Sequence, residues 1–133
     1  MLNNSIKLLF ALVISISFLL FACDKDEDKD PTLPTVVTAE VVNIAQQTAT
    51  CGGDVTDGGN VDVTARGVCW SGSENPTLEN VGQNFTTDGT GEGVFTSNIT
   101  GLPTNFTSYV RAYATNSEGT VYGAQKEFTT ITK

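Results

Sequence analysis

The residue best suited to chemistry is Cys23, which directly follows Ala22 at the end of a long apolar run. A cysteine thiolate can accept a diacylglyceryl group, and signal peptidases cut beside small side chains such as that of alanine. Lys7 precedes the run, which spans residues 8–21 and is interrupted only by two serines. At about 14 residues it is shorter than the ~20 that a membrane-spanning helix requires, so it is typical of a signal-peptide core.

The residues before Cys23 resemble the lipobox of bacterial lipoproteins, because Leu20 lies three positions before the cysteine and Ala22 one before it. Phe21 departs from the pattern, in which a smaller residue is usual. The resemblance implies that residues 1–22 are a lipoprotein signal peptide and that Cys23 carries the fatty acyl chains. The mature protein would then be anchored in the outer membrane. The alternative is an ordinary secretory signal followed by a cysteine without lipid.

A highly charged segment follows, in which every side chain from Asp24 to Asp30 is ionised at neutral pH. Such a segment cannot be buried, so residues 23–34 are predicted to be a solvated tether, which Pro31 and Pro34 stiffen. The segment also resembles the acidic export signal by which some Gram-negative lipoproteins reach the outer face of the outer membrane. A surface-export signal and a simple spacer are both compatible with this run of charges.

Charge balance and the lack of histidine limit the functions to be considered. The chain has 7 basic and 15 acidic residues, and removal of Lys7 with the signal peptide leaves 6 basic residues. Nucleic acids require a basic footprint, so they are not expected as partners. The sequence contains no histidine, which removes the commonest general base and the commonest zinc ligand. We therefore expect no catalytic residues, no cofactor and no metal site.

Residues 35–130 have the composition of strands and turns rather than of helices. Threonine and valine abound, glycines recur, and no apolar repeat of 3.6 residues is sustained. Side chains in residues 94–100 and 108–115 alternate between two faces, as in half-buried antiparallel strands. The pattern predicts one all-β domain, a seven-stranded antiparallel sandwich. The predicted strands are 36–44, 48–56, 61–70, 83–87, 94–100, 108–115 and 121–130.

Several stretches resemble fibronectin type III domains, and in particular the fibronectin type III-like repeats of bacterial surface lipoproteins. The resemblance covers nearly all of residues 35–130 and implies an immunoglobulin-like or fibronectin type III-like sandwich. That sandwich hosts many unrelated functions, so the resemblance implies no ligand. The stretches are Val63–Ser71, Ile99–Leu102 with Thr107, Val110–Asn116, Tyr122–Gly123 and Phe128–Thr130.

One position departs from this family. Its corner tyrosine falls on Ser108 here, and Tyr109 is one residue out of register with it. Pro103 and Phe106 are the residues expected to compensate, by stiffening and packing the corner. Without compensation the corner should be weaker by about 1 kcal/mol.

Cys51 and Cys69 fall on the second and third predicted strands, which lie in opposite sheets of such a sandwich. An inward-facing pair could form a disulfide in an oxidising compartment. Strand parity argues against this pairing, because Val68 and Trp70 share one face and Cys69 points to the other unless Gly67 bulges the strand. The disulfide therefore stays an open alternative.

Trp70 is interpreted as the core aromatic, with Gly52 and Gly53 making room for its indole. A ligand-stacking role for this side chain is the alternative.

Tyr109, Arg111 and Tyr113, joined by Arg66 from the neighbouring strand, are expected to form an exposed ladder of aromatic rings and guanidinium groups. Such a surface could stack sugar rings or bind a protein partner. Cross-strand packing on the outer face of a sheet explains the same residues structurally.

Acidic residues flank the two glycine-rich turns of the domain. Calcium would need about six to eight oxygen ligands, whereas aspartates in turns commonly bond their own backbone. We therefore expect turn chemistry rather than a metal at Asp54, Asp57, Asp62, Asp88 and Glu92.

Together these patterns predict a lipid-anchored, surface-exposed interaction or display module without enzyme activity, for example in adhesion. Its expected partners are the membrane, through the lipid on Cys23, and an extracellular protein or polysaccharide. A glycan-binding accessory lipoprotein and a small inhibitor or enzyme subunit are the alternatives.

Overall fold

Seven β-strands are present in the computed structural model, which describes residues 29–133. Residues 31–133 form one compact unit. The strands are β1 Thr35–Thr38, β2 Ala49–Asp57, β3 Ala65–Ser71, β4 Gly93–Ile99, β5 Thr107–Asn116, β6 Gly119–Tyr122 and β7 Lys126–Thr129.

The strands form two antiparallel sheets that pack face to face around one core. The first sheet has the order β1-β2-β4, and in the second sheet β5 pairs with β3, β6 and β7. This arrangement confirms the predicted all-β, seven-stranded antiparallel sandwich. Within residues 29–133, no helix has the length and apolar character needed to cross a membrane.

Alternation along the strands builds the core. In β4, Phe95, Ser97 and Ile99 are buried, whereas the residues between them are exposed, which confirms the period of two predicted for residues 94–100. Trp70 is 8% exposed and belongs to the same core cluster, as expected for a core aromatic.

The space opened by Gly53 is occupied by Phe95 rather than by the tryptophan. A Cβ atom at Gly53 would lie 2.9 Å from the Phe95 ring and 2.8 Å from Cβ of Ala112. The expectation that the Gly52–Gly53 pair accommodates the indole of Trp70 is therefore wrong, because the ring that faces Gly53 comes from β4 of the same sheet.

The predicted strand 61–70 begins only at Ala65, and two others are also shorter than expected. The first ends at Thr38 instead of continuing to residue 44, and Asn43 has a positive φ of 50° that an extended strand cannot accommodate. The run 83–87 lies along β3 but forms only an isolated bridge between Phe85 and Cys69. There the hydroxyl of Thr86, not a backbone carbonyl, accepts the N–H of Val68 at 3.0 Å, which interrupts the ladder.

The last predicted strand, 121–130, is divided into β6 and β7. At the break, the hydroxyl of Thr38 accepts the N–H of Ala112 at 3.0 Å, taking the place of a backbone acceptor from the neighbouring strand. Gly123 lies against this contact, since a Cβ there would be 2.5 Å from Oγ1 of Thr38. A buried threonine of the first sheet thus completes the hydrogen bonding of the second.

Thr130 stabilises the corner that lacks a tyrosine. Its hydroxyl donates to the carbonyl of Pro103 at 2.6 Å and accepts from the N–H of Phe106 at 3.0 Å. Ser108, at the tyrosine position, is buried opposite Phe128. The compensation expected from Pro103 and Phe106 is therefore made through their backbone groups.

Two groups of loops mark the two ends of the sandwich. The root pole is defined here as Thr32 with residues 57–64, 88–93 and 116–119. The far pole comprises residues 39–48, 100–106 and 130–133. Backbone hydrogen bonds from Leu102 to Gln47 and from Ile131 to Ala45 hold the far pole together.

Candidate functional site

The chain is fixed to the sandwich at Thr32. Its N–H donates to the carbonyl of Gly59 at 2.8 Å, and its carbonyl accepts from the side-chain amide of Asn116 at 2.7 Å. The same amide group donates to the carbonyl of Gly58 at 2.9 Å, while its oxygen accepts the N–H of Glu118 at 2.8 Å. Asn116 is buried, so one side chain joins the incoming chain to two turns.

Sequence reasoning assigned no role to Asn116, although it ends the stretch that resembles the fibronectin type III strand. The sequence did contain one indication of its role. Asn116 follows Ala112 and Ala114 in the same alternation, which places its polar side chain on the buried face of the strand. Cys23, the predicted lipid attachment site, and the signal peptide 1–22 lie outside the described residues.

Asp57, Asp88 and Glu92 of the root pole bond to backbone and hydroxyl groups. Asp57 accepts the N–H of Gly59 in its own turn at 2.8 Å, which is the turn chemistry predicted for it. Glu92 reaches the other turn and accepts the N–H of Gly58 at 2.7 Å. Asp88 accepts from two hydroxyls, those of Thr86 and Ser97. Among residues 29–133, no group of three or more cysteine or acidic side chains could hold a metal ion.

A shallow cleft of about 350 Å³ also lies at the root pole. Two of its lining segments are joined by a hydrogen bond from the N–H of Gly91 to the carbonyl of Val63 at 2.9 Å. The cleft is lined by Asp62, Val63, Thr64, Thr90 and Gly91. Asp62 is its one ionisable group, so the cleft offers no acid–base pair.

The predicted ladder of four residues is not formed. Tyr113 is only 2% exposed, and its hydroxyl donates to the carbonyl of Thr86 in the segment that lies along β3. Arg66 pairs with Ala114 and therefore points to the opposite face of the sheet from Tyr113. The expectation of one exposed surface containing Arg66, Tyr109, Arg111 and Tyr113 is wrong for these two residues.

Arg66 joins β3 to the loop of residues 88–92. Its guanidinium group donates to the carbonyls of Asp88, Gly91 and Glu92 at 2.9, 3.2 and 3.1 Å. It also lies 5.3 Å from the centre of the Phe95 ring, within the range of a cation–π contact. These contacts are structural, since they join the Nε and Nη1 donors of the guanidinium group to the backbone of the neighbouring loop.

Arg111 and Tyr109 remain on the outer face, and the aromatic partner of Arg111 is Tyr122. The guanidinium carbon lies 4.9 Å from the centre of the Tyr122 ring, and Nε donates to the carbonyl of Gly123 at 3.0 Å. The Tyr122 hydroxyl accepts the N–H of Leu78 at 2.9 Å. Tyr122 was missed because the strand 121–130 was read as continuous, which left its register with β5 undefined.

Cys51 and Cys69 are free, so the disulfide that the sequence left open is absent. Cys51 donates to the carbonyl of Ala39 at 3.4 Å, and Cys69 donates to the carbonyl of Pro76 at 3.6 Å. Val68 belongs to the core cluster and its neighbour Cys69 does not, as strand parity predicted.

Burial makes both thiols weak acids. It raises the pKa of Cys69 to about 11 and also raises the pKa of Cys51. The pKa of the Tyr113 hydroxyl is raised too, again chiefly by burial. A thiol that stays protonated at neutral pH is a poor nucleophile and a poor metal ligand. The two cysteines therefore act as small buried packing groups, Cys51 within the core cluster and Cys69 outside it.

Comparison with known proteins identifies the fold. No family model and no curated protein sequence matches the chain, but solved structures do. The sensor domain of the anti-sigma factor RsgI4 from Pseudobacteroides cellulosolvens matches with 12% identity and a TM-score of 0.53, over 74% of this chain and 76% of its own. The fibronectin type III domain of human fibronectin type III domain containing protein 3 matches with 18% identity and a TM-score of 0.50, over 80% and 91%. The chain has a fibronectin type III-like fold.

A myokine structure shows the same similarity, with 15% identity and a TM-score of 0.54 over 77% of this chain and 100% of its own. At such identities the comparison establishes the sandwich but no ligand, because this fold carries many unrelated functions.

Proposed function

We propose that the chain is a lipid-anchored binding module that acts without catalysis and is displayed on the outer face of the outer membrane through Cys23. The similarity of its fold to a bacterial sensor domain supports a role in binding or sensing. The protonated thiols and the backbone contacts of Arg66 also favour binding over catalysis.

The observation that carries the proposal is the fixation of the chain at Thr32. Thr32 lies nine positions after Cys23. An extended chain of that length spans about 30 Å at most. Lipid on Cys23 would therefore keep the root pole near the membrane and leave the far pole as the most accessible surface.

The far pole has side chains suited to a protein partner. Val42, Phe106 and Ile131 are 50%, 41% and 51% exposed. Their backbone is held by hydrogen bonds to neighbouring loops, which reduces the entropy lost on binding. Exposed apolar side chains on an ordered backbone are typical of protein-binding surfaces. An extracellular protein is therefore the favoured partner.

A glycan-binding function is the second candidate, because Tyr109 and Tyr122 flank Arg111 on the outer face of the second sheet. Its test is retention of the chain on a polysaccharide column, with Tyr109→Ala and Tyr122→Ala introduced together. Loss of retention would support it, and retention that is unchanged or absent from the start would remove it.

The anchoring is tested by fractionating cells that express the intact chain or a Cys23→Ala variant. We expect the intact chain in the membrane fraction and the variant as a soluble or unprocessed species. Lys29→Ala serves as the control, since it alters the charged segment but leaves the thiol in place. A Cys23→Ala chain that is still acylated and membrane-bound would contradict the proposal.

Surface display is tested separately by treating whole cells with a protease. Digestion of the domain without cell lysis is expected if the domain faces outward. Protection in intact cells, with digestion only after lysis, would place the domain on the inner side of the outer membrane.

A further inference from the structure

The turn that follows β2 contains two groups that can react with each other. The backbone nitrogen after an aspartate can attack the carboxyl carbon of that aspartate, and a glycine in the second position has no Cβ to obstruct the attack. Asp57 is the exposed last residue of β2, and Gly58 follows it directly. A second Asp-Gly pair, Asp88–Gly89, lies in the neighbouring loop of the root pole.

The carboxyl group of Asp57 is held close to the peptide unit that it would attack. Its Oδ1 accepts the N–H of Gly59 at 2.8 Å. An aspartate that bonds the backbone two residues on folds its side chain back over the intervening peptide unit, which here contains the nitrogen of Gly58. The bond therefore keeps the two reacting groups on the same side of the turn.

Glu92 is bonded to the reacting nitrogen itself. The N–H of Gly58 donates to Oε1 of Glu92 at 2.7 Å. A carboxylate at this distance can accept the amide proton while the nitrogen attacks, which is the role of a general base. Glu92 lies 34 positions further along the chain, so only the folded domain places its carboxylate there.

The second Asp-Gly pair is held in a different way. Oδ2 of Asp88 accepts the hydroxyls of Thr86 and Ser97 at 2.6 and 2.5 Å, and Ser97 is fully buried. Rotation of this carboxyl group toward the nitrogen of Gly89 would break both bonds. The fold thus favours the reaction at Asp57 and opposes it at Asp88.

We propose that Asp57–Gly58 is a site of spontaneous isomerisation to isoaspartate, with Glu92 as the base. The nitrogen of Gly58 forms a bond to Cγ of the protonated Asp57 carboxyl group and passes its proton to Glu92. The Cγ–OH bond breaks, and the hydroxyl receives that proton and leaves as water, which closes a succinimide ring. Water then adds to the former backbone carbonyl of Asp57 and breaks its bond to the nitrogen. No atom is gained or lost overall, but the backbone now runs through the former side chain.

The modified turn is the one that holds the incoming chain. The carbonyl of Gly58 accepts the side-chain amide of Asn116, and the carbonyl of Gly59 accepts the N–H of Thr32. Isoaspartate lengthens the backbone by one methylene group directly before both carbonyls, which displaces them and weakens the attachment at Thr32. If the chain is anchored through Cys23, which rests on the proposed function, isomerisation loosens the joint between tether and domain as the protein ages.

The test ages the soluble chain 24–133, which contains the whole core from Val36 to Phe128 and lacks the anchor. Isoaspartate is quantified over several weeks with an endoproteinase that cleaves before aspartate but not before isoaspartate. In the folded chain we expect isoaspartate to form at position 57 at least roughly threefold faster than at position 88. In urea, where the contacts of both pairs are lost, the two rates should be similar.

Glu92→Gln removes the base but keeps an oxygen that can accept the N–H of Gly58, so the turn retains its shape. This variant should form isoaspartate at position 57 roughly threefold more slowly than the wild type. Glu118→Gln, at an exposed position of the root pole, is the matched control and should age like the wild type. Circular dichroism verifies that each variant is folded. The proposal is overturned if position 57 reacts no faster than position 88 in the folded chain, or if Glu92→Gln leaves the rate at position 57 unchanged.

Hydrogen exchange tests the consequence for the attachment. In chains with isoaspartate at position 57, separated by ion-exchange chromatography, the amide of Thr32 should exchange roughly tenfold faster than in unmodified chains. The amide of Leu102, which is bonded at the far pole, should exchange at an unchanged rate. Equal exchange at Thr32 in both forms would overturn the loosening. None of these results bears on anchoring, which the soluble chain lacks.

Discussion

At the scale of single residues, Asn116 is the side chain that determines how the chain joins the domain. It provides two donors to the carbonyls of Thr32 and Gly58 and one acceptor to the N–H of Glu118.

Asn116→Asp removes the two N–H donors of this side chain and keeps its shape. The carboxylate keeps the acceptor but loses both donors and places charge beside two carbonyls, so we expect the free energy of unfolding to fall by about 2 kcal/mol. Urea denaturation of the soluble chain measures the change. Ser117→Ala, at the exposed neighbouring position, should change it by less than about 0.5 kcal/mol. Equal stability of the two variants would contradict the role given to Asn116.

Thr130→Val removes the hydroxyl that ties the corner while retaining the shape of the side chain. The part-buried N–H of Phe106 then loses its acceptor, and the carbonyl of Pro103 loses its donor, so we expect a loss of about 1 kcal/mol in the free energy of unfolding. Thr132→Val, at an exposed position, is the control for the same chemical change. Thermal or urea unfolding measures the stability of both variants. A Thr130→Val chain as stable as the wild type would show that the corner is stabilised in another way.

The buried thiol of Cys69 predicts how stability depends on pH. Its pKa is raised to about 11 in the folded chain, so the folded state holds this proton more tightly than the unfolded state. Stability from this group is therefore complete below the ordinary thiol pKa and is lost as pH rises from about 9 toward 11. Cys51 and Tyr113, whose pKa values are also raised, act in the same direction.

Urea titrations at several alkaline pH values test this dependence. The decrease should be shallower in a Cys69→Ala variant, which lacks the titrating thiol. A stability that stays constant between about pH 9 and 11, or that rises, would contradict the burial of the thiol.

At the scale of strands and loops, the sequence was informative wherever one face of a strand is buried and the other exposed. The alternation in β4 and β5 identified their faces, and the parity of Val68 and Cys69 placed the thiol outside the core. Such patterns depend only on neighbouring residues along the chain, so they are readable without a structure.

The features that could not be predicted depend on contacts between distant segments. Tyr113 alternates like an exposed residue, yet a loop more than twenty residues away covers it. The division between β6 and β7 is linked to the Thr38 hydroxyl, 74 positions from its partner Ala112. Side-chain groups that replace backbone acceptors leave no periodic trace in a sequence.

Thr38→Val tests whether that hydroxyl supports the second sheet. Loss of the acceptor leaves the buried N–H of Ala112 unpaired, and we expect a loss of about 1–3 kcal/mol in the free energy of unfolding. Thr35→Val makes the same substitution at an exposed position of the same strand and should have little effect. Similar losses in both variants would mean that the effect comes from β1 itself and not from the contact with Ala112.

At the scale of the whole molecule, the structure combines one fixed end with two available surfaces. The root pole binds the incoming chain at Thr32, the far pole presents apolar side chains, and the β4 edge presents unpaired backbone groups. The proposed anchoring and partner binding would thus use opposite ends of the domain.

The central claim is that Cys23 becomes the lipid-bearing amino terminus of a surface protein. The most direct test is the intact mass of the chain purified from cell membranes, with fatty-acid analysis of its first residue. We expect a polypeptide that begins at Cys23 and carries two or three acyl chains, the number needed for stable anchoring. A chain that begins at any other residue, or that begins at Cys23 without fatty acid, would contradict the account.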